Sequence, residues 1–230
     1  MTHSNTTICE SCGCEFPNGD VKFNGRVIYS QRNCDDCCLK WKQEELDRPQ
    51  RERKELSLAR FKLMIPPIYH ETDLNKLSGI LRSCYEKGVK SPLGLGIVGR
   101  AGAGKTRAAV MILKKAQDAG QDTFYVAATD LALHSANQFA ESPTIKDIAI
   151  STLKLCKTSD LLMIDDLGKG RMTDRAESTL YDILEYRTSR MLPVIWTSNS
   201  DAKGMRLMFS SDRGDAIIRR LTEFCDIIKI

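Results

Sequence analysis

GRAGAGKT, residues 99–106, matches the pattern G-x-x-x-x-G-K-[ST] of a loop that surrounds nucleotide phosphates. A short apolar run, LGLGIV (93–98), precedes it, and helical periodicity follows it over 104–119. Glycines let successive backbone N–H groups face the phosphates, and the N-terminus of the helix adds partial positive charge. We therefore predict a nucleoside triphosphate site made of Gly99, Arg100, Ala101, Gly102, Ala103, Gly104, Lys105, Thr106 and Arg107.

Polar residues at the ends of two later apolar runs complete the predicted site. The run LLMIDD ends in Asp165 and Asp166, and the run WTSN ends in Asn199. Lys105 would reach the β- and γ-phosphates, while Thr106 and Asp165 would hold Mg²⁺, directly or through water. Asp166 is the candidate for orienting or deprotonating the attacking water, and Asn199 is the candidate for positioning it. Together these residues predict hydrolysis of the bound triphosphate.

Apolar runs alternate with amphipathic stretches from Leu93 onward. Buried strands separated by helices of roughly 10 to 15 residues are typical of a parallel sheet covered on both faces. We therefore predict an α/β fold with three αβα layers around a five-stranded parallel sheet. The predicted strands are 93–98, 123–127, 161–165, 193–199 and 226–230, and the predicted helices are 104–119, 130–140, 145–157, 175–190 and a last stretch that ends at Phe224.

Composition divides the chain into a cysteine-rich start (1–38), a charged zone (39–66) and the α/β region (67–230). With 230 residues, 42% of them hydrophobic, the chain can build one ordinary core and a small extra module. The formal net charge of +4 is a weak indication of nucleic-acid binding, because mildly basic surfaces are common. Neither a membrane-spanning run nor a signal peptide is recognisable, so we expect a soluble, cytoplasmic protein without a membrane partner.

The charged zone, 39–66, mixes positive and negative side chains along helix-forming residues. Pro49 predicts an interruption and Pro66 with Pro67 predicts an end, so we expect two short helical pieces that act as a linker. Its basic residues either touch DNA or a partner, or form a solvated charged surface. These residues are Arg48, Arg51, Arg53, Lys54, Arg60 and Lys62.

Six of the nine cysteines lie within the first 38 residues. Two C-x-x-C pairs, separated by 21 residues, have the spacing of a four-cysteine zinc site, in which each pair places two thiolates about 2.3 Å from the ion. The intervening segment KFNGRVIYS alternates around Asn24-Gly25, a hairpin signal. We predict a zinc-ribbon-like module that binds DNA or a partner protein, held by Cys9, Cys12, Cys34 and Cys37.

Several alternatives remain for these cysteines. Cys14 and Cys38 leave the ligand set ambiguous, and an iron–sulfur cluster, a redox dithiol or disulfides would use the same residue type. The aromatic residues of this segment either stack on bases or form a minimal core. They are Phe16, Phe23, Tyr29 and Trp41.

The chain resembles the DnaC/IstB-like AAA+ ATPases over residues 64–230. GRAGAGKT, LLMIDDLG, LYDILEYRTSRMLPVIWTSN and IIRRLTEFCDIIKI follow one another in the order and at about the spacing of that family, and IPPIYHETDL looks like its lead-in segment. The resemblance implies an ATPase that uses ATP and Mg²⁺. It also implies that Arg220, or the adjacent Arg219, is an arginine finger that a neighbouring subunit inserts toward the γ-phosphate.

The same family includes bacterial and phage loaders of the replicative helicase. The resemblance therefore implies an ATP-dependent loader that places a DnaB-like replicative DNA helicase on single-stranded DNA during replication initiation. Because a finger that acts on another subunit requires assembly, it also implies a homo-oligomer in the ATP-bound state. The alternatives are a transposition helper ATPase of the IstB type, which would bind duplex DNA and a transposase, and an adaptor that binds ATP without hydrolysing it.

Two departures from the family pattern favour slow hydrolysis. The second acid is usually Glu, and Asp166 is one methylene shorter, so its carboxylate would lie about 1 Å or more from the best position for a water. In addition, relatives usually continue beyond the segment DIIKI into a tail with a basic sensor 2 residue, so we expect that contact to be lacking.

Overall fold

The computed structural model describes residues 6–17, 21–23, 26–29, 31–91, 93–168 and 170–230. The chain divides into two compact units, Met1–Leu56 and Ser57–Ile230, and this division falls inside the predicted linker. Among the described residues, none of the helices combines the length and the apolar character needed to cross a membrane.

The first unit is built from short antiparallel strand pairs and one helix. Strands β1 and β2 pair with each other, as do β3 and β4. The predicted hairpin turn at Asn24-Gly25 lies outside the described residues. The small buried cluster of this unit consists of three cysteines and Phe16, so this aromatic residue has a role in the core. The strands are β1 (Thr6–Ile8), β2 (Glu15–Pro17), β3 (Val21–Phe23) and β4 (Arg26–Tyr29).

A single helix, α1 (Asp35–Met64), runs through the charged zone without a break at Pro49. The prediction of two short helical pieces is therefore wrong. A proline inside a helix removes one hydrogen bond and costs about 3 kcal/mol, but Glu, Gln, Arg, Lys and Leu dominate the surrounding turns and favour the helix. Phe61 and Ile65 are buried in the core of the second unit, which stabilises the last turns further.

A five-stranded, fully parallel sheet forms the centre of the second unit, as predicted. Its strand order is β6-β7-β8-β5-β9. The strands are β5 (Gly94–Val98), β6 (Thr123–Ala127), β7 (Leu161–Asp165), β8 (Val194–Ser198) and β9 (Asp226–Lys229). The helices that follow α1 are α2 (Gly79–Lys90), α3 (Lys105–Asp118), α4 (Ala128–Asn137), α5 (Pro143–Thr158), α6 (Asp174–Thr188), α7 (Ala202–Arg206) and α8 (Ser211–Glu223).

Helices cover both faces of this sheet, and alternating strand residues divide between the two apolar clusters. Leu95, Ile97 and Met163 belong to the cluster shared with α2 and α3. Ile164 and Trp196 belong to the cluster shared with α5, α6 and α8. Because successive strand residues point to opposite faces, this division gives the three αβα layers that the sequence predicts.

The strand order also determines where the polar ends of the strands meet. β8 lies between β5 and β7, and all three strands are parallel, so their carboxyl ends share one edge of the sheet. The glycine-rich loop leaves β5 at this edge, Asp165 ends β7 and Asn199 follows β8. Ligands of open α/β sheets bind at such an edge, where connections diverge from neighbouring strands.

Candidate nucleotide-binding site

The glycine-rich loop has the backbone conformation that its sequence predicts. Gly102 (φ 78°) and Gly104 (φ 90°) adopt left-handed conformations, and Gly104 directly precedes the first turn of α3. A Cβ atom at Gly104 would also lie only 2.6 Å from Leu81 Cδ1, so a larger residue would have to displace the Leu81 side chain and adopt a strained backbone conformation. The loop therefore turns sharply into the N-terminus of a helix, the position at which backbone N–H groups and the helix dipole attract an anion.

Lys105 connects the loop with the end of β8. Its Nζ donates to the carbonyl oxygens of Gly99 (2.9 Å) and Arg100 (3.0 Å) and to Asn199 Oδ1 (2.6 Å). Burial lowers the pKa of this ammonium, and the charges of Asp166 and Asp165 oppose that shift. A cation held by neutral oxygen acceptors can exchange them for phosphate oxygens, which carry full negative charge.

The carboxylate of Asp165 is buried and accepts hydrogen bonds from three hydroxyl groups. Thr106 Oγ1 (2.9 Å) and Thr197 Oγ1 (2.6 Å) donate to its Oδ1, and the Tyr125 hydroxyl (3.1 Å) donates to its Oδ2. The two predicted Mg²⁺ ligands, Thr106 and Asp165, are thus in direct contact. Hydroxyl and carboxylate oxygens are the donors that Mg²⁺ prefers, so these residues fit the metal that the site implies.

Asp166 follows the strand in a left-handed conformation with a φ of 55°. Its backbone N–H donates to Thr197 Oγ1 over 2.9 Å, so one threonine hydroxyl links the backbone of Asp166 to the carboxylate of Asp165. Aspartate tolerates the left-handed region better than most residues do. The half-buried Asp166 therefore begins a tight turn at the edge of the site.

Two residues of this site, Thr197 and Tyr125, are absent from the sequence prediction. The sequence did contain an indication for Thr197, because Thr197 and Ser198 are polar residues at the end of a strand that begins with the apolar residues VIW. Tyr125 carried none, because a tyrosine in a buried strand is most often a core residue with a hydrogen-bonded hydroxyl.

The two adjacent arginines of α8 have different surroundings. Arg220 has its guanidinium 4.6 Å from the centre of the Tyr181 ring, donates to the Tyr181 hydroxyl (3.3 Å) and forms an ion pair with Glu185. Arg219 is 64% exposed and lies 3.9 Å from Glu223. The partners of Arg220 therefore lie on α6 and on its own helix. That Arg220 acts as an arginine finger stays a prediction.

The four predicted metal-ligating cysteines of the first unit come together. The Sγ atoms of Cys9, Cys12, Cys34 and Cys37 all lie within 4.8 Å of one another. Although burial opposes the shift, hydrogen bonds from the backbone N–H groups of Cys34, Cys12 and Ser11 lower the pKa of Cys9 to about 6. Hydrogen bonds with the neighbouring thiols of Cys12 and Cys34 instead raise the pKa of Cys37. A tetrahedral ion with thiolate ligands fits this cluster.

The two remaining cysteines of the first unit differ in their position. Cys14 Sγ lies 3.2 Å from Cys12 Sγ, beside the four-cysteine cluster. Cys38 Sγ donates to the carbonyl oxygen of Asn33 over 3.6 Å. The structure therefore keeps Cys14 close to the ligand set and gives Cys38 a different partner.

Comparisons with known proteins give a family match and a set of chains with a similar fold. A family model described as IstB-like ATP binding protein matches residues 42–230. The crystal structure of DnaI is similar with a TM-score of 0.62 and 20% identity, covering 72% of this chain and 94% of that one. The DnaC helicase loader has a TM-score of 0.58 and 20% identity, covering 72% of this chain and 99% of that one. AMPPCP-bound DnaA from Aquifex aeolicus has a TM-score of 0.59 and 18% identity, covering 72% of this chain and 51% of that one.

These structural likenesses show the fold. The chain spans about half of the DnaA chain but nearly all of the DnaI and DnaC chains. A comparison with curated protein sequences found no match. The predicted α/β architecture with a five-stranded parallel sheet is therefore confirmed by the strand order, and these neighbours share the fold.

Proposed function

The chain belongs to the family of IstB-like ATP-binding proteins, and from this premise we propose that it is an ATPase that loads a replicative DNA helicase onto single-stranded DNA. The observation that carries the ATPase part is the 2.9 Å hydrogen bond between Thr106 and Asp165, which joins the phosphate loop to the acidic end of β7. The loading part is supported by the likeness to the DnaC helicase loader and to DnaI over nearly their whole chains.

The side chains of the site have separate roles in this proposal. Lys105 binds the β- and γ-phosphates in place of its carbonyl partners, and Thr106 with Asp165 holds Mg²⁺. When bound, Mg²⁺ neutralises charge on the phosphate oxygens and thereby favours the transfer. Asp166 orients or deprotonates the attacking water, and Asn199 helps to position it. Because Asp166 has a short side chain, we expect slow turnover that DNA stimulates.

Assembly of several copies completes the proposed site. Arg220 acts on the γ-phosphate of a neighbouring copy, which requires it to leave Tyr181 and Glu185. The ATP-bound chains form a homo-oligomer around single-stranded DNA, and the nucleotide state times assembly and release. The cysteine cluster holds Zn²⁺, which stabilises a module too small to fold around an apolar core alone. We place this assembly in the cytoplasm, with the N-terminal unit binding a DnaB-like helicase.

A loading assay with the full chain tests this function. We expect the wild type to transfer a replicative helicase onto circular single-stranded DNA only when ATP is present, and Lys105→Ala to lose both ATP turnover and transfer. Lys115→Ala is the matched control, because Lys115 is an exposed residue on the same helix. ATP binding without turnover above the Lys105→Ala level would instead favour a non-hydrolysing adaptor.

A transposition helper ATPase is the second candidate function, and the description of the family model favours it. Such a protein would bind duplex DNA and a transposase. Comparing ATP-dependent binding to single-stranded and duplex DNA of the same sequence separates the two functions. Preference for the duplex, together with capture of a transposase and no capture of a helicase, would overturn the loader proposal.

A further inference from the structure

Tyr125 lies on β6, the edge strand beside β7, and its hydroxyl is directed at the proposed Mg²⁺ ligand. We propose that Tyr125 is a positioning residue for Mg²⁺ binding, because its O–H fixes the orientation of the Asp165 carboxylate. This inference rests on the proposed ATP site and adds a residue that lies outside the phosphate loop, the acidic run and the end of β8.

The hydrogen-bonding capacity of the carboxylate supports this role. An ionised carboxylate offers about four lone-pair sites, two on each oxygen. Among the described residues, Thr106 and Thr197 both donate to Oδ1 of Asp165, whereas Tyr125 alone donates to Oδ2. One acceptor site therefore remains for a metal ion or its water, and it lies on the oxygen that Tyr125 holds.

Three different elements fix this carboxylate. Thr106 belongs to α3, Thr197 to β8 and Tyr125 to β6, so each neighbour approaches Asp165 from its own direction. Without the tyrosine hydroxyl, Oδ2 would lose its contact with β6. The carboxylate of Asp165 would then be freer to rotate about its Cβ–Cγ bond. Orientation of metal ligands by such hydrogen bonds typically changes metal affinity 10- to 100-fold.

The environment of Tyr125 keeps its hydroxyl a donor. A tyrosine hydroxyl is protonated at neutral pH because its ordinary pKa is about 10, so the O–H of Tyr125 is available to donate to Oδ2 over 3.1 Å. Its ring packs with the apolar cluster on the α3 side of the sheet. Phenylalanine would fill the same space, so replacing Tyr125 by Phe removes the hydroxyl and leaves the packing in place.

The test is a titration of full-length Tyr125→Phe with a fluorescent ATP analogue, first in EDTA and then with increasing Mg²⁺. We expect binding in EDTA to equal that of the wild type and the half-saturating Mg²⁺ concentration to rise about tenfold. The stabilisation of the ATP-bound chain by Mg²⁺ in thermal unfolding should fall in parallel, which is a readout independent of turnover. Tyr85→Phe, which removes the hydroxyl of a half-buried tyrosine on α2, is the matched control and should behave as the wild type.

The outcomes separate this inference from the proposed function. If the wild type binds ATP and Tyr125→Phe shows the wild-type Mg²⁺ dependence, the positioning role is wrong and the ATP site stands. Weaker binding in EDTA, with a lower unfolding temperature, would show that the hydroxyl is merely structural and would overturn the inference as well. A wild type that binds no ATP would overturn the proposed function, and this inference with it.

Discussion

Lys105 and Asn199 are joined by a 2.6 Å hydrogen bond between Nζ and Oδ1, which links the first turn of α3 to the residue after β8. The amide therefore holds the ammonium at the edge of the sheet where the phosphate loop begins. Two carbonyl oxygens of the loop, those of Gly99 and Arg100, accept hydrogen bonds from the same ammonium. Asn199 thus contacts the loop through its lysine, although 94 residues separate them in sequence.

The first prediction concerns Asn199→Ala. In the free chain the carbonyls of Gly99 and Arg100 still hold Lys105 at the loop, so ATP affinity should change by less than about threefold. The turnover rate should fall about tenfold or more, since a group that positions the attacking water is lost. Nucleotide titration and steady-state turnover of the same preparation measure both quantities.

Gln121→Ala provides the control for this prediction, because Gln121 is an exposed amide residue that precedes the opposite, amino end of β6. This variant should retain wild-type turnover and affinity. A large loss of ATP affinity in Asn199→Ala would mean that the amide supports Lys105 rather than the water.

The second prediction concerns Asp166→Glu. The longer side chain should bring the carboxylate about 1 Å closer to the water and raise turnover about tenfold. The left-handed φ of 55° suits Asp better than Glu, so the same change should lower the free energy of unfolding by up to about 1 kcal/mol. Single-turnover kinetics and urea denaturation test the two effects. As a control, Asp166→Asn should retain ATP binding and lose turnover. If Asp166→Glu turns over ATP no faster than the wild type, the distance between the carboxylate and the water does not limit the rate.

The third prediction concerns the metal in the cysteine cluster. Purified full-length protein should contain one Zn²⁺ per chain by elemental analysis, and Cys9→Ser or Cys34→Ser should lose it, because each removes one of four thiolates. Cys84→Ser should keep its zinc, since Cys84 is buried in the core of the second unit. Equal loss in all three variants would indicate unfolding, and iron in the wild type would indicate a cluster instead.

All five strands of the second unit could be predicted because their apolar runs are short and are separated by stretches with helical periodicity. Asp165 and Asn199 were predictable for a related reason, as polar residues at the carboxyl ends of buried strands. The predicted interruption at Pro49 is wrong because the helix propensity of the surrounding residues exceeds the cost of a single proline. The local pattern contains no information about the packing of Phe61 and Ile65, which also favours the longer helix.

The contacts that side chains make across the sheet could not be predicted from local patterns, even where a polar residue such as Thr197 stood out. Tyr125 and Thr197 reach Asp165 only because β6, β7 and β8 are neighbours in the sheet. The basic linker residue Arg60 illustrates the same difficulty: it lies 3.0 Å from Asp122 and donates to the carbonyl of Thr123, contacts that the charged segment around it does not indicate. At Arg60 the structure therefore favours a role within the fold over contact with DNA.

The fourth prediction separates Arg219 from Arg220. Arg220→Ala loses contacts with Tyr181 and Glu185 and should lower the free energy of unfolding by about 1 to 3 kcal/mol, whereas Arg219→Ala should change it by less than about 0.5 kcal/mol. If Arg220 acts on a neighbouring copy, mixing Arg220→Ala with Asp166→Ala protein should restore part of the turnover. The same mixing experiment is done with Arg219→Ala and Asp166→Ala. If turnover is restored only in this second mixture, Arg219 is the arginine finger. If turnover is restored in neither mixture, the intersubunit site is contradicted.

Arg187 is a fully buried cation of α6 that holds the amino-terminal edge of the sheet. Its guanidinium donates to the carbonyls of Cys156 (3.0 Å), Lys157 (3.1 Å) and Ser159 (2.9 Å), near the end of α5, and to that of Pro193 (2.8 Å) before β8. Burial lowers its pKa to about 10, so it remains charged at neutral pH. Its positive charge also lies at the negative end of the α5 dipole.

The fifth prediction follows from these contacts. Arg187→Met fills similar space but leaves several buried carbonyls without their donor, so it should lower the free energy of unfolding by about 3 kcal/mol or more in urea denaturation. Arg190→Met is the matched control three residues later, where the exposed guanidinium lies 3.8 Å from the centre of the Tyr186 ring, and it should cost less than about 1 kcal/mol. Arg187 donates to the residue pair that precedes β7 and to the residue that precedes β8, and these strands lead to Asp165 and Asn199. Loss of Arg187 should therefore also reduce ATP affinity at urea concentrations near the midpoint of unfolding. Equal losses of stability in the two variants would show that the carbonyl contacts of Arg187 contribute little.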